Sequence, residues 1–244
     1  MLAKYVSYAA ALAALSMFVG QSASAATITV SAPLADGIVQ NGNAQDAGEG
    51  VMRVGLLGGS NFRVAILMFQ LPMLAPGDIV TNAVLNTRFA SKSNAPSFNV
   101  DLYATRVAAG SPSMNNGLDW GFGVPPPALT GTLIQNDLVT STTVLGGNQL
   151  ISTNVTGNDN LLSYLNSNYV GGSFIYLRLN PRAAQTVGAI GEDTGYNVYS
   201  ANWTSGGSRV ATLDLTIVPI PEPATVFALA GVVGILGLSR RRQV

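Results

Sequence analysis

The stretch Thr212-Leu213-Asp214-Leu215-Thr216-Ile217 decides how the rest of the chain reads. Apolar and polar residues alternate at every step, which puts Leu213, Leu215 and Ile217 on one face of a β-strand and Thr212, Asp214 and Thr216 on the other. The same period of two recurs upstream. Phe98, Val100 and Leu102 alternate with Asn99, Asp101 and Tyr103, and Ala83, Leu85, Thr87 and Phe89 keep one register. Val51–Leu57 and Phe62–Phe69 flank Gly58-Gly59-Ser60-Asn61, which predicts a hairpin. In the second of these strands Phe62, Val64, Ile66 and Met68 share one face, with Ala65, Leu67 and Phe69 on the other, so burial on both sides is expected. Thr27-Ile28-Thr29-Val30 adds an opening strand, and the one helical turn predicted runs from Asn160 to Leu165, capped from Asn158-Asp159. Roughly ten short strands with Gly punctuation and no long helical period predict an all-β fold, a jelly-roll-like β-sandwich over residues 26–218. Residues 110–127 break the rhythm with Trp120, Phe122 and three consecutive prolines; a loop of that length is functional or disordered.

Both ends stand apart from this pattern. Lys4 precedes an apolar, Ala-rich stretch from Tyr5 to Gly20, then Gln21-Ser22-Ala23-Ser24-Ala25. This predicts a signal peptide over residues 1–25, with Ala23 and Ala25 as the Ala-x-Ala site and Ala26 as the mature N-terminus. The other end, residues 219–244, holds Pro221-Glu222-Pro223, an apolar run from Ala224 to Leu238, and Arg240-Arg241-Arg242. The prolines break regular structure, the run partitions into a bilayer as a hydrophobic helix, and the basic cluster stays on the cytoplasmic side. These three parts in this order resemble the PEP-CTERM sorting signal of Gram-negative bacteria; an ordinary tail anchor needs no Pro-Glu-Pro. The resemblance implies processing by an exosortase-type membrane protease, with Glu222 as the charged recognition point, and a transient stay in the inner membrane. The implied destination is the cell surface or the extracellular matrix.

Composition excludes several chemistries. The chain has no Cys and no His. There are thus no disulfides, no Ser-His-Asp or Cys-His nucleophile and no ordinary zinc site. Once both ends are removed, 8 basic and 11 acidic residues remain, a net charge near −3 with Lys92 as the single lysine. Such a domain offers nothing to nucleic acid. The acids sit in no recognisable catalytic pairing, so no enzyme is expected.

A second resemblance concerns the domain between the ends. Asp36, Met52–Gly55, Arg63–Phe69 and Ile79–Leu85 resemble the first half of DNRLRE-type domains, exported β-sandwich modules of bacterial surface proteins and enzymes. Asn197-Val198-Tyr199-Ser200, with Ser208–Val210 and the strand to Ile217, looks like their closing pair of strands. Gln70 departs from the acidic residue that the resemblance leads one to expect, and residues 110–150 match nothing in it.

Two candidate sites emerge. Asp36, Asn41, Asn43, Asp46 and Glu49 fall in one Gly-rich stretch whose oxygens suit Ca²⁺, without the spacing of an EF-hand; a solvated polar loop is the competing reading. Glu192-Asp193 join them if the loops meet. Trp120 and Phe122, with Trp203 and Tyr196, offer faces on which a sugar ring can stack, against the alternative that each plugs the core. The expected function is therefore a non-catalytic surface or matrix protein associated with exopolysaccharide or biofilm. The alternative is a carbohydrate-binding module that uses the aromatic loop, with calcium as its one candidate cofactor.

Overall fold

A computed structural model describes residues 24–31, 36–40, 43–46, 50–57, 61–114, 118–119, 131–182, 194–201 and 209–219, with the backbone alone at 43–46, 57 and 61. The strands are β1 (Ala26–Ser31), β2 (Gly37–Gln40), β3 (Asn43–Asp46), β4 (Val51–Leu57), β5 (Asn61–Gln70), β6 (Asp78–Ser93), β7 (Val100–Ala108), β8 (Thr132–Val139), β9 (Gln149–Ser152), β10 (Phe174–Pro181), β11 (Gly195–Tyr199) and β12 (Thr212–Pro219). A helix, α1 (Val155–Asn168), separates β9 from β10.

Among the described residues the twelve strands form one sheet in the order β1-β12-β6-β11-β4-β5-β10-β7-β8. It branches where β2 joins β5, β3 joins β2, and β9 joins β6. The fold is all-β, as the alternation predicts, and a branched sheet of this kind is compatible with the expected sandwich. The chain falls into two compact units. Among the described residues, the larger falls within Thr27–Met73 and Val80–Ile217; the smaller gathers residues 24–26, Leu74–Ile79 and 218–219.

The core follows from the sequence pattern. Leu213, Leu215 and Ile217 are buried while Thr212, Asp214 and Thr216 are only half-buried, as their alternation requires. β4 and β5 form the predicted antiparallel hairpin, with Leu57 opposite Asn61. Val64–Phe69 are buried at every position, because β5 lies inside the sheet with β4 and β10 at its sides and both of its faces covered. β10 is buried along its whole length and runs antiparallel between β5 and β7. Where β4 meets β11, Gly55 faces Gly195. A Cβ on Gly55 would stand 2.5 Å from the Thr194 carbonyl oxygen, and its φ of +138° is open only to glycine at low cost.

Two expectations need correction. The helix is longer than the predicted turn and starts five residues earlier, with Asn154 as its cap. The Asn154 Oδ1 accepts from the Gly157 N–H at 2.8 Å, so the first turn is stabilised although Val155, Thr156 and Gly157 are weak helix formers. Its buried face is Gly157, Leu161 and Leu165, one residue every four. The closing strands are also not a pair: β6 lies between β11 and β12.

Candidate functional site

Three places bear on function. The first is the end of β12. Its apolar face holds the strand in the core up to Ile217, and Pro219 is exposed. Pro221, Glu222, Pro223 and Arg240–Arg242 lie outside the described residues, as does Ala23 at the other end. Ala25 is described, exposed, immediately before β1.

The second is Asp36. Only 1% of it is exposed, and its Oδ2 accepts from the Ala201 N–H at 2.7 Å. This ties the residue before β2 to the one that follows Ser200, whose own N–H donates to the Gly50 carbonyl. The Asp36 Oδ1 is buried and has no hydrogen-bond partner among the described residues. Burial pushes the carboxyl up to about 7, against the opposing pull of the Ala201 N–H. The surrounding stretch is not the open loop expected for a cation site. Residues 37–40 and 43–46 pair as an antiparallel hairpin with Gly37 opposite Asp46, and Asp36 turns into the protein. The Asp46 side chain and Glu49 lie outside the description, as do Glu192 and Asp193. Among the described residues no three Asp, Glu, His or Cys are grouped to hold a metal ion.

The third is the base of the aromatic loop. Trp120 and Phe122 lie outside the described residues, but Asp119, directly before Trp120, is fully buried. Its Oδ1 accepts from Arg106 Nε at 3.1 Å and from Thr105 Oγ1 at 3.1 Å, and its Oδ2 from Arg106 Nη2 at 2.9 Å. Arg106 also donates to the Ser113 carbonyl at 2.7 Å, and its guanidinium stacks 3.6 Å from the centre of the Tyr176 ring. The Tyr176 hydroxyl accepts from the Ser113 N–H at 3.2 Å. Both ends of 113–119 are thereby fastened to β7 and β10. Burial works against the charge on Arg106, but the Asp119 carboxylate outweighs it and the guanidinium is held more firmly protonated than usual. Arg178 is fully buried one pleat further along β10, its guanidinium 5.1 Å from the Tyr103 ring, and burial brings it down to about 10.

Tyr196 is no part of a sugar platform. It is buried against Phe98 and Phe89 in edge-to-face contacts, and its hydroxyl donates to the Phe98 carbonyl at 2.6 Å. Its core position answers the alternative stated for these aromatics; Trp203 lies outside the described residues.

Sequence reasoning missed Arg106, Asp119 and Arg178. The available signal was a lone arginine inside the apolar run Phe174–Leu179, whose charge needs a buried partner. A further cluster, Arg182 with Asp101 at 2.8 Å and Asp137 at 3.0 Å, closes the opposite end of the β7–β8 pair.

Comparison with known proteins adds one finding. The family model for the PEP-CTERM protein-sorting motif matches residues 219–243. No curated protein matches the chain, and the resemblance to DNRLRE-type domains gains no support. Among the described residues no helix is long and apolar enough to cross a membrane. The motif follows directly on the last core strand, so this β-sheet domain ends in a PEP-CTERM sorting signal and is an exported protein addressed through its tail to an exosortase.

Proposed function

We propose that the domain is a non-catalytic surface or matrix protein, exported, sorted by its C-terminus and retained among exopolysaccharide as a structural or adhesive unit. The observation that carries this reading is the position of the sorting motif, whose match begins at the last residue of a strand with Leu213, Leu215 and Ile217 buried. The absence of His and Cys supports the non-catalytic part, since it removes the common nucleophile and acid–base systems. Recovery of the processed domain with the extracellular matrix, and its loss from that fraction in a strain without the exosortase, is the expected outcome. Equal recovery in both strains contradicts it.

A second reading, carbohydrate binding through Trp120 and Phe122, is favoured by the Arg106–Asp119 clamp. An ion pair with a fully buried carboxylate at the base of a loop holds that base in place, and a fixed base reduces the entropy lost on binding a ligand. Calcium at Asp36, Asp46 and Glu49 belongs to this reading. Added exopolysaccharide should then shift tryptophan fluorescence, and calcium should raise Tm. If neither changes, the domain acts as a structural unit alone.

A further inference from the structure

The end of β12 and the sorting motif are almost contiguous. Pro219 closes the strand, Pro221 opens the motif, and Ala224 begins the apolar run. The five steps from Pro219 to Ala224 reach about 17 Å at full extension. The run gives about 22 Å of helix against a hydrocarbon core of about 30 Å, so an anchored tail draws its flanks toward the bilayer. Pro219 is then held close to the headgroups, and whatever adjoins it meets the membrane too.

What adjoins it is the turn that leads into β6. Thr81 Oγ1 donates to the Thr216 carbonyl at 3.3 Å, and Asn86 Nδ2 donates to Asp214 Oδ2 at 2.7 Å and Thr212 Oγ1 at 3.3 Å. Numbers rise along β6 as they fall along β12, so β6 begins where β12 ends. Among the described residues, Leu74–Ile79, Val218 and Pro219 accordingly share one compact unit, and Ala26, the expected mature N-terminus, belongs to it as well.

The turn is suited to an interface. Ala75, Pro76 and Gly77 are exposed, Ile79 is 44% exposed, and Pro219 is exposed. Gly77 has a φ of +86° after Pro76, and Asp78 N–H donates to the Ala75 carbonyl at 3.0 Å, the geometry of a rigid type II turn. Its single charge is engaged locally, because Asp78 Oδ2 accepts from the Ala75 N–H at 3.2 Å. An apolar, preordered turn loses little on entering the headgroup layer.

We propose that the turn Leu74–Ile79, with the end of β12, is the surface on which the folded domain rests against the phospholipid bilayer while its tail is anchored. The contact sets the height at which Pro221-Glu222-Pro223 meets a membrane protease. It rests on the reading of the tail as a membrane anchor, and the test separates the two. The chain has no cysteine, so single cysteines report cleanly. Full chains carrying Ala75→Cys, Val144→Cys or Val233→Cys are labelled with an environment-sensitive fluorophore. They are then placed in phosphatidylethanolamine–phosphatidylglycerol vesicles with nitroxide-bearing lipids. Val144 is 85% exposed, in the segment whose Ser141 carbonyl accepts from Lys92 near the last residue of β6. The Ala75 label should shift to the blue and lose most of its emission to headgroup nitroxides, the Val233 label to deep ones, and the Val144 label to neither. A quenched Val233 with an unquenched Ala75 overturns the resting surface and leaves the anchor standing. An unquenched Val233 overturns both.

Discussion

At Asp36 a single carboxyl is set against its own charge. The ordinary value of 3.8 rises to about 7 in the folded protein because burial outweighs the backbone hydrogen bonds from Ala201 and from Asp36 itself. Below about pH 4 both folded and unfolded chains hold this proton; between about 4 and 7 only the folded chain does. The contribution of Asp36 to stability therefore falls as pH rises through that window, by up to about 4 kcal/mol, and is level above it. Urea unfolding across the window should show Asp36→Asn gaining on the parent as pH rises; parallel curves contradict this. Asp119, by contrast, has an ion-pair partner in place, the guanidinium of Arg106. Asp119→Ala leaves the Arg106 guanidinium without its carboxylate and should cost about 3 kcal/mol, read from the urea midpoint. Neither residue was legible in its role from the sequence. Nothing in a string of letters shows that Ala201, far along the chain, supplies a hydrogen bond to Asp36 or that the carboxyl is buried. Asp119 is hidden by its neighbour, the conspicuous Trp120.

At the scale of the element, strands with a clear apolar pattern and flanking turn residues were legible, and strands with a broken pattern were not. β12 follows from its period, because one buried face fixes the register, and β5 from an apolar run buried on both faces and set off from β4 by turn residues. β8 escaped because its partnering with β7 shifts between Val100 and Leu102 and again between Leu102 and Tyr103. Asp137 there takes a φ of +54°. Such bulges turn side chains to the other face and erase the period of two. The start of α1 escaped because a side-chain cap, and not propensity, begins it. Leu215 tests the core reading: Leu215→Asp buries an unpaired carboxylate in a strand that cannot slip without exposing Leu213 and Ile217. A loss of more than about 4 kcal/mol and of the β-type circular dichroism is expected. A variant as stable as its parent would refute it. Gly55→Ala tests the sheet's tightest approach, where the new methyl meets the Thr194 carbonyl. A loss of about 3 kcal/mol or more in thermal or urea unfolding is expected, and a neutral outcome contradicts the geometry.

For the whole molecule, the address is written in the sequence and the domain is the cargo. The tail's function was legible because it rests on local chemistry: two prolines around an acid, a short apolar run and a basic cluster need no tertiary structure to be read. The task of the sheet was not legible, since a ligand site is assembled from loops that only the fold brings together. We propose that Pro221 and Pro223, which disfavour helix, fit the motif to a protease cleft, with Glu222 between them as the recognition charge. The most direct measurement is the size and membrane fraction of a Pro221→Ala, Glu222→Ala double variant in its native host, followed by immunoblot. Export should proceed unchanged, and the variant should remain in the inner membrane as a slightly larger species than the processed parent. Arrival at the surface at normal size and amount would contradict the account and leave the segment a plain anchor.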